Sequence, residues 1–192
     1  FLTQEASLYS DKPLQKLTQY NAESWTNRSP ITTLSNFQRS RALALPAGLN
    51  PRSVALAKQW RRESISDRAY IDRVLQWINT DFRYTLATEE PGLNGADEFL
   101  FDQKEGFCQH FSSSFAVLMR AAGIPARVVT GYAGGYKNPY GDYWVLYQKD
   151  AHAWNEVWLE DEGWVRIDPT AAVAPENILD TLTSSSGAES YF

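Results

Sequence analysis

A chain of 192 residues, 43% hydrophobic and 21% charged, has the make-up of one globular domain with a modest extension, and it carries too much apolar surface for disorder. A net charge of −5 disfavours a nucleic-acid partner. One Cys and two His exclude an internal disulfide, a multi-cysteine zinc site and a histidine-rich metal centre, so neither metal nor cofactor is expected.

Residues 1–50 read as an arm or the end of a preceding β-rich region. Ser7-Leu8-Tyr9 and Leu17-Thr18-Gln19-Tyr20 suit short strands, and Asn27 to Ser35 is turn-rich. Asn27-Arg28-Ser29 matches a glycosylation sequon but is read as a loop. The opening Phe1-Leu2-Thr3-Gln4-Glu5 has no Met and no basic n-region, which reads as a fragment of something larger. No apolar run reaches the ~18–20 residues of a membrane helix.

Residues 51–175 form the expected core. Asn50 is a good N-cap and Pro51 suits the first helical position. A second helix starts at Ser66-Asp67, with Ile71, Val74, Leu75, Ile78 and Phe82 at helical spacing. Glu89 to Asp97 contains Pro91, Gly92, Asn94 and Gly95 and reads as a loop. A third helix runs from Cys108 to about Ala122, stopped by Gly123 with Pro125 beyond. Four β-branched or aromatic runs follow: Arg127–Tyr132, Tyr143–Tyr147, Ala153–Leu159 and Trp164–Ile167. Helices first and an antiparallel sheet afterwards make an α+β plan. Residues 176–192 read as a flexible tail or linker, since Thr181 to Glu189 is rich in Ser, Thr and Gly.

Cys108 is the residue with the clearest chemical setting. Unpaired N–H groups and the dipole at a helix start stabilise a thiolate. Gly106 just before it suggests close approach of a substrate backbone. A cysteine nucleophile needs a base, and the base an orienting group. His152 lies 44 residues on, at a strand start, and Asp168 a further 16, at the end of the next strand. An odd-numbered connecting loop, such as Glu160 to Glu162, puts both side chains on one face. His110, two residues after Cys108 on the helix, reads as a surface or supporting residue. A Cys108/His110/His152/Asp168 metal site is the rival, but it matches no standard zinc spacing.

Four segments in this order resemble the transglutaminase-like superfamily: Gly106–Ser112, Arg120–Tyr132, His152–Trp158 and Gly163–Thr170. The resemblance covers roughly residues 68–172. Phe99-Leu100-Phe101 and Gly141-Asp142-Tyr143-Trp144 are similar, more narrowly, to TgpA-type bacterial membrane proteins, whose transglutaminase-like domain lies in the periplasm. The resemblance implies a papain-like transglutaminase core, with the nucleophile helix packed on an antiparallel sheet. It implies Cys108 as nucleophile, His152 as general base and then acid, and Asp168 as orienter. It also implies a periplasmic location, a membrane-anchored parent, and protein or peptide substrates of the cell envelope.

The Cys108 backbone N–H suits one oxyanion donor. Animal transglutaminases supply a second from a Trp, and this chain has none between Trp77 and Cys108. Gln103 and Asn94 are the side-chain candidates in its place, and Trp154 and Trp144 suit groove walls or core. The leading expectation is a cysteine acyltransferase passing a glutamine-derived acyl group to an amine or water. A cysteine peptidase or amidase with the same residues is the alternative, and a silent peptide-binding envelope module is the rival from another class.

Overall fold

The computed structural model describes residues 33–88 and 90–174, with Pro13, Gln15 and Lys16. The two expected N-terminal strands, the sequon at Asn27 and the tail from residue 176 lie outside these residues.

The first element among the described residues is a helix absent from the sequence expectations, α1 (Asn36–Leu43). Its signal is a Ser-x-x-Gln capping box: the Ser35 hydroxyl accepts from Gln38 N at 3.2 Å, and Gln38 Oε1 accepts from Ser35 N at 3.1 Å. Eight residues are too few for a visible apolar period, and only Ala42 is buried.

Helix α2 (Pro51–Glu63) starts where Asn50-Pro51 predicts, but its cap differs. Asn50 is left-handed (φ 50°) and makes no side-chain bond to its own helix. The buried Asp97 carboxylate caps α2 instead, accepting from Arg52 N at 2.9 Å and Ser53 N at 2.7 Å. Asn50 Oδ1 in turn accepts from Ala96 N and Asp97 N, at the start of the one-turn helix α4 (Gly95–Asp97). The two helix starts therefore cap each other, a reciprocal arrangement that local spacing does not encode.

Helix α3 (Asp67–Asp81) follows its predicted course, with Ser66 accepting from Ala69 N and Tyr70, Ile71, Val74 and Ile78 buried. The predicted loop becomes helical at Gly95: α4 continues into a π-helical turn, Glu98–Gln103, that buries Phe99 and Leu100. Strand β1 (Arg83–Tyr84) pairs in parallel with β2 (Glu105–Gly106), which delivers the chain to α5 (Cys108–Ala121). Phe111, Phe115, Leu118 and Met119 of α5 are fully buried and form the centre of the core. Rings of Phe82, Phe99 and Phe111 meet there, with Phe99 and Phe111 edge to face at 4.9 Å. Gly123, at φ 83°, ends α5: its N–H reaches Arg120 O while Ile124 N reaches Met119 O.

The main sheet is antiparallel, in the order β3 (Ala126–Tyr132), β6 (Ala151–Leu159), β7 (Gly163–Ile167). The run Tyr143–Tyr147 does not join it. Only Trp144–Val145 is extended, as β5, and it pairs with β4 (Tyr136–Lys137) in a separate ribbon. Its aromatic residues looked like sheet material, but Tyr143, Trp144 and Tyr147 are all exposed, with no core to face. Alternate residues Ala153, Asn155 and Val157 of β6 are buried, and Asn155 is bonded to α5, so the intervening residues lie on the opposite face.

Candidate active site

Strand β7 stops pairing with β6 at Ile167 opposite Asn155. Beyond that point the edge of β6 is open, and the first turns of α5 fill it. The Ser112 hydroxyl donates to Ala153 O at 2.8 Å, and Asn155 Nδ2 donates to Ser112 O at 3.0 Å, both buried. This docking brings Cys108, the first residue of α5, against the start of β6. The His152 imidazole and the backbone N–H groups of Ala153 and Gln109 lie near enough to its sulfur to stabilise the thiolate. Burial pushes the thiol up, but the bond to His152, the two backbone donors and the imidazole charge outweigh it, so its pKa falls below the ordinary value.

His152 and Asp168 are joined through the β6–β7 hairpin. Leu159 pairs with Gly163, so the loop is the three residues Glu160 to Glu162, an odd number. His152 Nε2 lies 2.8 Å from Asp168 Oδ2, with the side chains 9% and 4% exposed. That leaves Nδ1 for the thiol. The bond to Asp168, then the bond to Cys108, raise the His152 pKa from 6.5 to about 9 against the effect of burial. A thiol pushed down beside an imidazole pushed up favours thiolate and imidazolium together. Asp168 is held by two further donors: Arg166 Nη2 at 2.9 Å on Oδ2, and Thr170 N at 3.2 Å on Oδ1. It thereby also caps the short 3₁₀ turn Pro169–Ala172.

Trp154 shares the face of His152, their rings near parallel at 6.2 Å. Gly131, opposite His152 in the sheet, makes room for it: a Cβ there would lie 2.9 Å from Trp154 Cη2. Trp154 is thus a wall beside the imidazole.

Other candidates fall elsewhere. His110 is not at the surface. It is buried between Phe99 and Phe107, and Nδ1 accepts from Phe107 N at 3.4 Å. Burial lowers its pKa. The four-residue metal arrangement does not assemble, and among the described residues no group of three or more His, Cys, Asp or Glu could hold a metal ion. Gly106 makes room for His110, since a Cβ would meet the imidazole at 2.9 Å. Asn94 Oδ1 accepts from Asn50 N at 2.7 Å, which commits that oxygen to the junction of α2 and α4. Gln103 lines a cleft with Ala87, Thr88, Asp102 and Glu105.

Sequence reasoning missed four contributors. Ser112 and Asn155 are ordinary polar residues by sequence, and only the meeting of α5 with β6 gives them their role. Arg166 has a local signal, since two residues before Asp168 on a strand it shares that residue's face. Tyr84, half-buried opposite Gly106, lies close enough for the Cys108 charge to add to burial in raising its phenol pKa.

An α+β domain with a cysteine at the start of a helix, backed by a histidine and an aspartate from adjacent antiparallel strands, has the architecture of a papain-like thiol enzyme. The chain belongs to the transglutaminase-like superfamily, whose family model matches residues 54–169. It is 40% identical over its whole length to the protein-glutamine gamma-glutamyltransferase of Pseudomonas aeruginosa, of which it covers 29%. It is similar to the crystal structure of the periplasmic domain of TgpA from Pseudomonas aeruginosa, at 44% identity and TM-score 0.75, over 80% of this chain and 54% of that one. The uncharacterized protein YebA of Bacillus subtilis is 42% identical over 48% of this chain and 13% of its own length. The chain therefore spans under a third of the curated relatives it matches first and about half of the solved domain. Among the described residues no helix is long and apolar enough to cross a membrane.

Proposed function

We propose that this chain is the catalytic domain of a transglutaminase-type cysteine acyltransferase, with residues 51–175 as its core and Cys108, His152 and Asp168 as its reacting set. The observation that carries the reading is the 2.8 Å bond from His152 to Asp168 together with the electrostatic coupling of that imidazole to the Cys108 thiol.

The Cys108 thiolate attacks the carboxamide carbon of a glutamine side chain, forming the C–S bond and an oxyanion. The Cys108 backbone N–H at the start of α5 supplies one oxyanion donor. The second is proposed from Gln103 or Asn94, with the Asn94 amide nitrogen as its available donor. As the C–N bond breaks, His152 gives its proton to the leaving ammonia. The thioester then passes to a primary amine, with His152 taking the proton of the attacking nitrogen, or to water to give glutamate. Asp168 holds the imidazole in orientation throughout.

The domain is further proposed to act on the periplasmic side of a membrane-anchored parent, on proteins or peptides of the cell envelope. Support comes from the similarity to a periplasmic domain. Incorporation of a fluorescent primary amine into a glutamine-bearing protein tests the reading. Incorporation that is lost in Cys108→Ala supports it. Hydrolysis of peptide bonds without amine incorporation would replace it with the peptidase reading.

A further inference from the structure

Asp168 Oδ2 is shared by two cationic donors, His152 Nε2 at 2.8 Å and Arg166 Nη2 at 2.9 Å. The carboxylate is 4% exposed and Arg166 is 52% exposed, so the guanidinium reaches the aspartate from the solvent side. Its position is fixed twice over. It lies 5.2 Å over the Trp154 ring, and Trp154 is itself stacked beside His152. Glu156, directly opposite Arg166 in the sheet, is the carboxylate it would otherwise meet. Glu156 is already held by Arg127, at 2.6 Å through Nε, and Arg127 lies 4.3 Å over Trp164. One arginine on the neighbouring strand thus leaves the other for Asp168.

We propose that Arg166 is a positioning residue for the acyl-transfer site. It holds Asp168 in place and weakens that carboxylate's grip on the His152 proton, so that the imidazole can give the proton up as well as keep it. The inference rests on the function proposed above and adds a residue to it.

The charged groups around His152 support the assignment. Cys108 acts on it from α5, and Asp168 acts on it from just beyond β7, where Arg166 shares the same carboxylate oxygen. Asp150, just before β6, is turned back on Tyr147 N at 2.8 Å, and Lys149 lies over the Tyr147 ring. Glu156 and Arg127, further along the same face, neutralise each other. Arg166 is therefore the positive charge set against the imidazolium. Two cations on one carboxylate oxygen repel across no more than the two bond lengths, which lowers the affinity of His152 for its proton by about half a pH unit even at the dielectric of water.

The test is an NMR titration of the imidazole signals in the full chain, the Arg166→Gln variant and the Arg166→Lys variant. With two histidines in the sequence, His110 serves as the internal control. Arg166→Gln is expected to raise the His152 midpoint by about half a pH unit, a threefold change in proton affinity, with His110 unmoved. Arg166→Lys should stay near the unsubstituted value. Amine incorporation by Arg166→Gln should show a several-fold lower kcat with KM little changed, because the substituted side chain does not bind the donor. A His152 midpoint that stays put or falls in Arg166→Gln overturns the inference, and leaves the proposed function standing if the unsubstituted chain incorporates amine. An ordinary His152 midpoint in the unsubstituted chain, with no amine incorporation, overturns both.

Discussion

Replacing Asp168 with Asn tests the His152–Asp168 bond through stability. The change is nearly isosteric, and Asn keeps an oxygen for Thr170 N. It removes the carboxylate whose hydrogen bond, and to a smaller extent whose charge, raises the His152 pKa. The shift from 6.5 to about 9 spans about 2.5 pH units, equivalent to about 3 kcal/mol when His152 is charged. The Asp168 bond leads the causes, so about 2 kcal/mol of this should depend on the carboxylate. The sign follows from a raised pKa: the stabilisation is fully present below pH 6.5 and is lost as pH rises through about 9. The thiol, whose pKa is lowered, works in the opposite direction, and the part of that shift set by Ala153 and Gln109 is common to both proteins and cancels in their difference. Urea unfolding at pH 6 and pH 10 is the assay. The full chain should exceed Asp168→Asn by about 2 kcal/mol at the lower pH and by under about 1 kcal/mol at the higher. A difference that is constant with pH, or that grows toward pH 10, would refute the reasoning.

Three further outcomes are expected. Asp97→Ala removes the acceptor for Arg52 N and Ser53 N, so urea unfolding should show a loss of about 1–3 kcal/mol, while an unchanged midpoint would mean that the reciprocal cap carries no weight. Gly131→Ala drives a Cβ to 2.9 Å from Trp154 Cη2, so the indole must shift; altered tryptophan fluorescence and slower Cys108 alkylation should follow, with a cost of about 1–3 kcal/mol. His110 has a lowered pKa, so the unfolded chain takes up its proton first and stability should fall as pH drops through 6.5. Replacing His110 with Gln should flatten that acid limb in pH-dependent unfolding, and an identical limb would exclude His110 as its source.

The elements legible in the sequence are those with a strong period or a strong stop. Helix α3 announces itself through Ile71, Val74 and Ile78, and α5 through its apolar stripe and Gly123. The hairpin that relates His152 to Asp168 was legible from Glu160-Asp161-Glu162-Gly163 between two apolar runs, but its parity was a condition that only the pairing of Leu159 with Gly163 settles. Helix α1 was not readable, because eight residues with one buried side chain give no period. The π-helical turn at Glu98–Gln103 hides behind a Gly- and Pro-rich stretch that favours a loop. Asn50 shows the limit most plainly: a good capping residue in the right place caps a different helix, because Asp97, 47 residues on, reaches α2 first. In the site, residue type pointed to Cys108 and His152; Arg166, two residues before Asp168 on the same strand face, is a local pair that strand alternation carries, whereas Ser112 acts through helix docking, which no local pattern carries.

The most direct measurement is the pH dependence of Cys108 alkylation, followed by mass spectrometry, in this chain and in His152→Ala. The account predicts a thiol that titrates well below the unperturbed ~8.5 and moves up when the imidazole is removed. Equal, ordinary titration in both proteins would contradict a thiolate–imidazolium pair at this site.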